Sequence, residues 1–228
     1  MMNNQPRKIG QRLKATALSL LLSISSFAAV AAPIELDFEG AGNESQLLDF
    51  YNLGTDSQGN SGDNHGVGFS SSALALIAAA DGSSGFSNVP SGSTVLFFDN
   101  STAWLNIAAG FSGGFSLYFS SALDAVINLY DGENGSGNLV ASFNISNQFD
   151  RDCAGDSLFC SWSLASVLFE GTVRSIDFSA ASQWAAFDNL TLGLAAVDEV
   201  PSPAPAALFA VLFIAWRIHV RHLQRSPR

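Results

Sequence analysis

All twenty acidic residues of this 228-residue chain lie between two basic tips, and only two of its ten Lys/Arg residues accompany them. Two cations against twenty acids give that stretch a formal charge of −18. Such a surface repels phosphate backbones, which excludes nucleic acid as a partner, and it suits a salty environment or divalent cations.

The first tip holds Arg7, Lys8, Arg12 and Lys14, followed by an uncharged apolar run over residues 18–30. Ala29-Val30-Ala31 places small residues where signal peptidase requires them, so residues 1–31 read as a secretory signal cleaved before Ala32. An uncleaved anchor would need about 20 apolar residues, more than this run supplies.

The domain expected over residues 32–197 has no long helical period. Short alternating runs separated by Gly, Asn, Asp and Ser predict strands instead. In chain order these are 34–38, 66–70, 94–98, 104–109, 115–120, 126–130, 139–145, 167–169, 173–179 and 185–193. Residues 73–80, rich in Ala and Leu, predict one short helix. Phe115, Leu117 and Phe119 share one face of their strand. Between 126–130 and 139–145, Asp131-Gly132 and Asn134-Gly135 predict a hairpin, because Asn and Gly tolerate positive φ. Many short strands predict an all-β fold, an antiparallel β-sandwich of jelly-roll type. An immunoglobulin-like sheet is disfavoured, since Trp162 follows the second cysteine instead of lying between the two. Cys153 and Cys160, seven positions apart in an exported chain, predict a local disulfide; free thiols are the alternative.

Beyond the domain the chain reads Val200-Pro201-Ser202-Pro203-Ala204-Pro205. Alternating prolines favour an extended segment over 198–205. An apolar stretch over 206–216 and a basic tail with Arg217, Arg221, Arg225 and Arg228 follow. Cations on that side hold it in the cytoplasm. These residues resemble the PEP-CTERM sorting signal of Gram-negative bacteria, a Pro motif, apolar helix and Arg cluster recognised by the membrane protease-transpeptidase exosortase. Ser202 stands where the common motif has Glu, and the apolar stretch is short and followed by His219. The resemblance implies a precursor held transiently in the inner membrane, then passed to the outer surface or extracellular matrix. A permanent C-terminal anchor is the alternative.

The middle is also similar to the globular part of such proteins, in Asp49-Phe50-Tyr51-Asn52, in Tyr130-Asp131-Gly132 and in Phe187-Asp188-Asn189-Leu190-Thr191-Leu192-Gly193. The last of these resembles the closing strand of galactose-binding-like jelly rolls. That resemblance implies a structural Ca2+ clipping the first strand to the last. Asp37 and Glu39, two apart and so on one strand face, and Asp188 are its candidate ligands. Asn52, Asp56 and Asp63 form a second oxygen-rich loop.

Glycan contact is the other candidate activity. Trp104, Trp162, Trp184, Tyr51 and Tyr118 offer flat faces to a sugar ring, and alternation and loop position single out Tyr51 and Tyr118 as the exposed ones. Catalysis would require a nucleophile with its base or a defined carboxylate pair. His65, the sole histidine of the domain, sits in a Gly-rich loop without an evident Ser or Cys nucleophile. The expectation is therefore a structural or adhesive surface protein associated with exopolysaccharide, not an enzyme. A carbohydrate-binding module with a defined glycan site, or a secreted hydrolase, are the alternatives.

Overall fold

A computed structural model describes residues 32–79, 84–149, 153 and 157–193. The chain divides into two units, residues 1–30 and 31–228, and all described residues lie in the second. The expected signal peptide, the sorting motif Val200, Pro201, Ser202 and Pro203, the apolar stretch and the arginine tail lie outside the described residues.

Among the described residues there is no helix, and ten antiparallel strands form the fold. They are β1 (Ile34–Leu36), β2 (Ser45–Gln46), β3 (Val67–Phe69), β4 (Ala73–Ile77), β5 (Thr94–Phe98), β6 (Trp104–Ser121), β7 (Ala125–Tyr130), β8 (Leu139–Ile145), β9 (Ser163–Asp177) and β10 (Ala185–Leu192). The hydrogen-bonded order is β2-β4-β5-β10-β6-β9-β7-β8, with β1 on β10 and β3 on β6.

Two long strands make this a sandwich. The first part of β6, Trp104–Asn106, pairs with Ser175–Asp177 at the end of β9, and β3 lies on its other side. The register then shifts around Phe111, where Gly110 and Gly113 take φ of 71° and 91°. Glycine meets such angles without a Cβ penalty, so the strand bends there. Beyond the bend, Gly113–Phe119 pairs with Ser163–Phe169, and β10 takes the other side. Each long strand thereby serves both layers. One layer is β2-β4-β5-β10 with β1, the later part of β6 and the early part of β9; the other is β3, the early part of β6, the end of β9, β7 and β8.

The core lies between the layers. Phe115, Leu117 and Phe119 are buried in it, as their alternation predicts. Phe98, Phe178 and Phe187 pack ring to ring, with centroids 4.9 to 6.5 Å apart. Burying each such ring contributes roughly 2–3 kcal/mol.

Three expectations are corrected. Residues 73–80 do not form a helix: residues 73–77 are β4, paired with β2 and β5. Ala73 and Ala75 face the core while Leu74 and Leu76 are half-buried, so the period is two. Cross-strand pairing overrides the helix propensity of Ala and Leu. The pieces 104–109 and 115–120 are one strand bent at glycines, and 167–169 and 173–179 belong to one long β9. The first strand stops at Leu36, because Phe38 takes φ 62° and leaves the extended region.

The hairpin follows the sequence closely. β7 pairs with β8 across the turn, and Asn134 and Gly135 have φ of 57° and 67°. Cys153 and Cys160 form a disulfide with Cα atoms 5.7 Å apart.

Candidate functional site

The structure separates the two tyrosines singled out from the sequence. Tyr51 is only 4 % exposed, buried among Phe38, Phe50 and Phe69, which overturns its expected exposure. Its hydroxyl accepts from the Phe38 N–H at 2.7 Å and donates to Asp37 Oδ1 at 3.2 Å. Burial, and then the Asp37 charge, push its acidity far below that of a free phenol. Tyr51 is a structural pivot that holds the chain where it leaves β1. Tyr118 is half-buried in the later part of β6, in register with Asp188 and Leu164. The two tyrosines belong to different places on the molecule.

The expected calcium ligands also diverge. Glu35, Asp37 and Glu39 border one acidic depression of about 380 Å³ with Asp63 and His65. Within it Asp37 bonds Tyr51, whereas Glu39 Oε1 accepts from the Ser93 and Thr94 N–H groups at 2.8 and 2.7 Å. Asp188 is fully buried. Its Oδ2 accepts from the Ser91 N–H at 3.0 Å and the Ser91 hydroxyl at 3.3 Å, and its Oδ1 from the Asn189 N–H at 2.7 Å. Glu39 and Asp188 together latch residues 91–94 onto the sheet. Their neighbours are N–H and O–H donors, whereas Ca2+ needs six to eight oxygen ligands. Among the described residues no three His, Cys, Asp or Glu side chains are grouped to hold a metal. Burial, opposed by those hydrogen bonds and reinforced by the nearby Glu39 charge, pushes the Asp188 carboxyl up to about 7.

Asp56, expected in an oxygen-rich loop, is likewise filled by protein donors. It accepts from Gly42 N, Gln58 N, Asn60 N, Ser45 Oγ and Asn60 Nδ2, all at 2.8 to 2.9 Å. Those bonds outweigh the effect of burial and hold its carboxyl well below the ordinary range.

Of the three tryptophans in the domain, Trp162 packs in a small cluster outside the first layer. That cluster is built on Phe86, Val95 and Ala186, and the Trp162 Nε1–H donates to the Ser87 carbonyl at 3.0 Å. Trp184 is 54 % exposed at the turn into β10. Trp104 differs from both, because it borders a cleft with polar walls.

That cleft, of about 290 Å³, lies on the outer face of the second layer. Along β6, Leu105 and Ile107 point into the core, so Trp104, Asn106 and Ala108 point out. Gly68 of β3 stands opposite Asn106 and has no side chain to fill the space. A Cβ there would lie 3.3 Å from Asp49 Oδ1. The backbone beneath the platform is held: Trp104 N–H donates to Ser70 Oγ at 3.3 Å, and its carbonyl accepts from Ser70 N–H at 3.0 Å. One wall is the turn carrying Leu48, Asp49 and Asn52, closed by Asn52 N–H to the Asp49 carbonyl at 2.8 Å and Asn52 Nδ2 to Asp49 Oδ1 at 3.1 Å. Glu133 also borders the cleft. Its loop is pinned by a reciprocal amide pair. Asn106 Nδ2 donates to Asn134 Oδ1 at 2.7 Å, and Asn134 N–H donates to Asn106 Oδ1 at 2.8 Å. Gly135 N–H adds a bond to Ser175 Oγ at 3.0 Å.

A half-exposed indole beside two carboxylates and two amides offers an apolar plane for the C–H face of a sugar and acceptors for its hydroxyls. The sequence reading placed Trp104 among five aromatics but missed Asp49, Asn106 and Glu133. Alternation at 104–107 signals which side chains face outward; nothing local signals that residues 49 and 133 meet them.

A broader groove of about 680 Å³ runs between the β7–β8 hairpin and the start of β9. Phe143, Leu164 and Val126 line it together with Asp124, Asn144 and Gln148. No aromatic plane is presented there beside paired carboxylates.

No family model and no curated protein matches the chain. Among solved structures, it is similar to a mutant of a family 29 carbohydrate-binding module used to probe ligand recognition, at 10 % identity, 76 % coverage of this chain, 99 % of that chain and a TM-score of 0.39. The K1 cleaved adhesin domain of Lys-gingipain from Porphyromonas gingivalis W83 matches at 9 % identity, 71 % and 98 % coverage and a TM-score of 0.38. A glycoside hydrolase family 43 arabinoxylan arabinofuranohydrolase from Bacillus subtilis, in complex with cellotetraose, matches at 14 % identity and a TM-score of 0.33; the match covers 55 % of this chain and 26 % of that enzyme. At such identities and scores these likenesses carry no argument about ligand or activity.

Proposed function

We propose that this chain is an exported glycan-binding protein of the cell surface or extracellular matrix, acting by adhesion and without turnover. The observation that carries the reading is the Trp104 cleft: a half-exposed indole beside Asp49, Asn52, Asn106 and Glu133. Concave sites of this kind, with an aromatic surface and a few placed polar groups, suit small polar ligands with an apolar face. The ligand is a sugar unit of an exopolysaccharide. Delivery rests on the sequence: a signal peptide over residues 1–31 and a tail over 200–228 resembling an exosortase substrate.

The test is a glycan array probed with the purified protein and with two variants. Trp104→Ala removes the platform, and Gly68→Val fills the cleft from its floor in a residue type that strands accept. A saturable signal lost in both variants, with unchanged thermal midpoints, supports the site. A signal unaffected by both, or no binding to any glycan, refutes it. Mass spectrometry of the protein from its native host tests delivery: a mature N-terminus at Ala32 and a C-terminus near Pro205 are expected, and an intact precursor in the cytosol would refute export.

A further inference from the structure

Taking the Trp104 cleft as a glycan site, we infer that it selects a cationic hexosamine unit, a sugar bearing a free primary amine, over N-acetylated and anionic sugars. Three features of the cleft and its surroundings point this way. Both titratable groups in its lining are carboxyls, Asp49 and Glu133. Among the described residues only one Asp49 oxygen is engaged, by Asn52, and the Glu133 carboxylate has no hydrogen-bond partner. An ammonium bonded to either carboxylate gains a charge-assisted hydrogen bond, whereas a neutral hydroxyl gains an ordinary one.

The indole supplies a second attraction of the same sign. A cation over the face of tryptophan is drawn by the ring quadrupole, and tryptophan is the strongest of the aromatic residues in this respect. An acetyl group on the sugar nitrogen removes the charge and both attractions with it.

The field around the cleft is the third feature. The stretch between the two basic tips carries a formal charge of −18, and Arg174 is the sole Lys/Arg among the described residues. Its guanidinium donates to the carbonyl of Ala108 at the rim and is not part of the lining. A uronate polymer approaching this surface is repelled, and a polyamine sugar is steered toward it. Arg174 opposes that steering locally, so neutralising it should sharpen the preference.

Binding of the purified full-length chain to three oligomers of matched length tests the inference: glucosamine, N-acetylglucosamine and galacturonate. The glucosamine oligomer is expected to bind at least ~10-fold more tightly than the acetylated one at low salt, a difference of about 1.4 kcal/mol. The gap should close as salt rises from about 50 mM to about 500 mM, and galacturonate should not bind. Glu133→Gln and Asp49→Asn should each narrow the preference, and Arg174→Gln should widen it. Glu133 is exposed, so loss of folding does not obscure the Glu133→Gln result; thermal midpoints check all variants. Equal or tighter binding of the acetylated oligomer, still abolished by Trp104→Ala, overturns the amine preference and leaves the glycan site standing. Binding of every oligomer unaffected by Trp104→Ala overturns the site as well.

Discussion

Asp188 makes the stability of this domain depend on pH in a direction opposite to that of most carboxylates. Its carboxyl titrates at about 7 in the fold, against 3.8 when unperturbed, chiefly because it is fully buried. The folded chain therefore holds this proton more tightly than the unfolded chain. Protonation favours folding, so the contribution is complete below about pH 4 and is lost as pH rises through about 7. At 1.36 kcal/mol per pH unit, the gap corresponds to a loss of about 4 kcal/mol, reduced by whatever relaxation of residues 91–94 admits water. The assay is urea unfolding of wild type and Asp188→Asn between about pH 5 and pH 8. The Asn side chain keeps an acceptor for the Asn189 N–H but turns a donor toward Ser91, a fixed cost of about 1–2 kcal/mol at every pH. Comparing slopes instead of absolute values cancels that cost and the general repulsion among the other acids. Wild type should lose about 2–3 kcal/mol relative to the variant across the interval. A difference constant to within about 0.5 kcal/mol would refute the burial argument.

Asp56→Ala should destabilise the domain by roughly 3 kcal/mol in the same assay, because five donors lose a common charged acceptor. Since its carboxyl is held low in the fold, its contribution is present above about pH 4 and lost as pH falls; wild type and variant should converge in acid. Tyr51→Phe should cost about 1–2 kcal/mol through the Phe38 N–H and leave sugar binding unchanged; a loss of binding with stability intact would restore Tyr51 as a contact residue. Chelator should leave the thermal midpoint unchanged; a fall reversed by added Ca2+ and absent in Asp188→Ala would show that calcium displaces the donors around Asp188 and Glu39.

Much of the β architecture was legible because it is written over short distances. The hairpin spanning β7 and β8 depends on a period of two and on residues that accept positive φ, and Asn134 and Gly135 take those angles. The buried face of Phe115, Leu117 and Phe119 follows from alternation alone. Ala73–Ile77 was misread because composition favoured a helix while its neighbours β2 and β5 offered a ladder, and the neighbours won. The bend that lets β6 serve two layers was read as a gap between two strands, since glycine marks both.

Side-chain environment was hidden for a different reason. Asp37 and Glu39 look like partners two residues apart, yet Phe38 at φ 62° lies between them, and Tyr51 and residues 93–94 take one carboxylate each. Tyr51 lies in a polar loop by sequence and in the core by contact. The Trp104 cleft joins residues 49, 68, 104 and 133, which only the pairing of β3 with β6 and the pinned 132–136 loop bring together. Chain order by itself determined which segments extend, where they turn and how charge is partitioned. Which aromatic faces solvent, and which acid already has its donors, was decided by contacts between residues far apart in sequence, where no local period reaches.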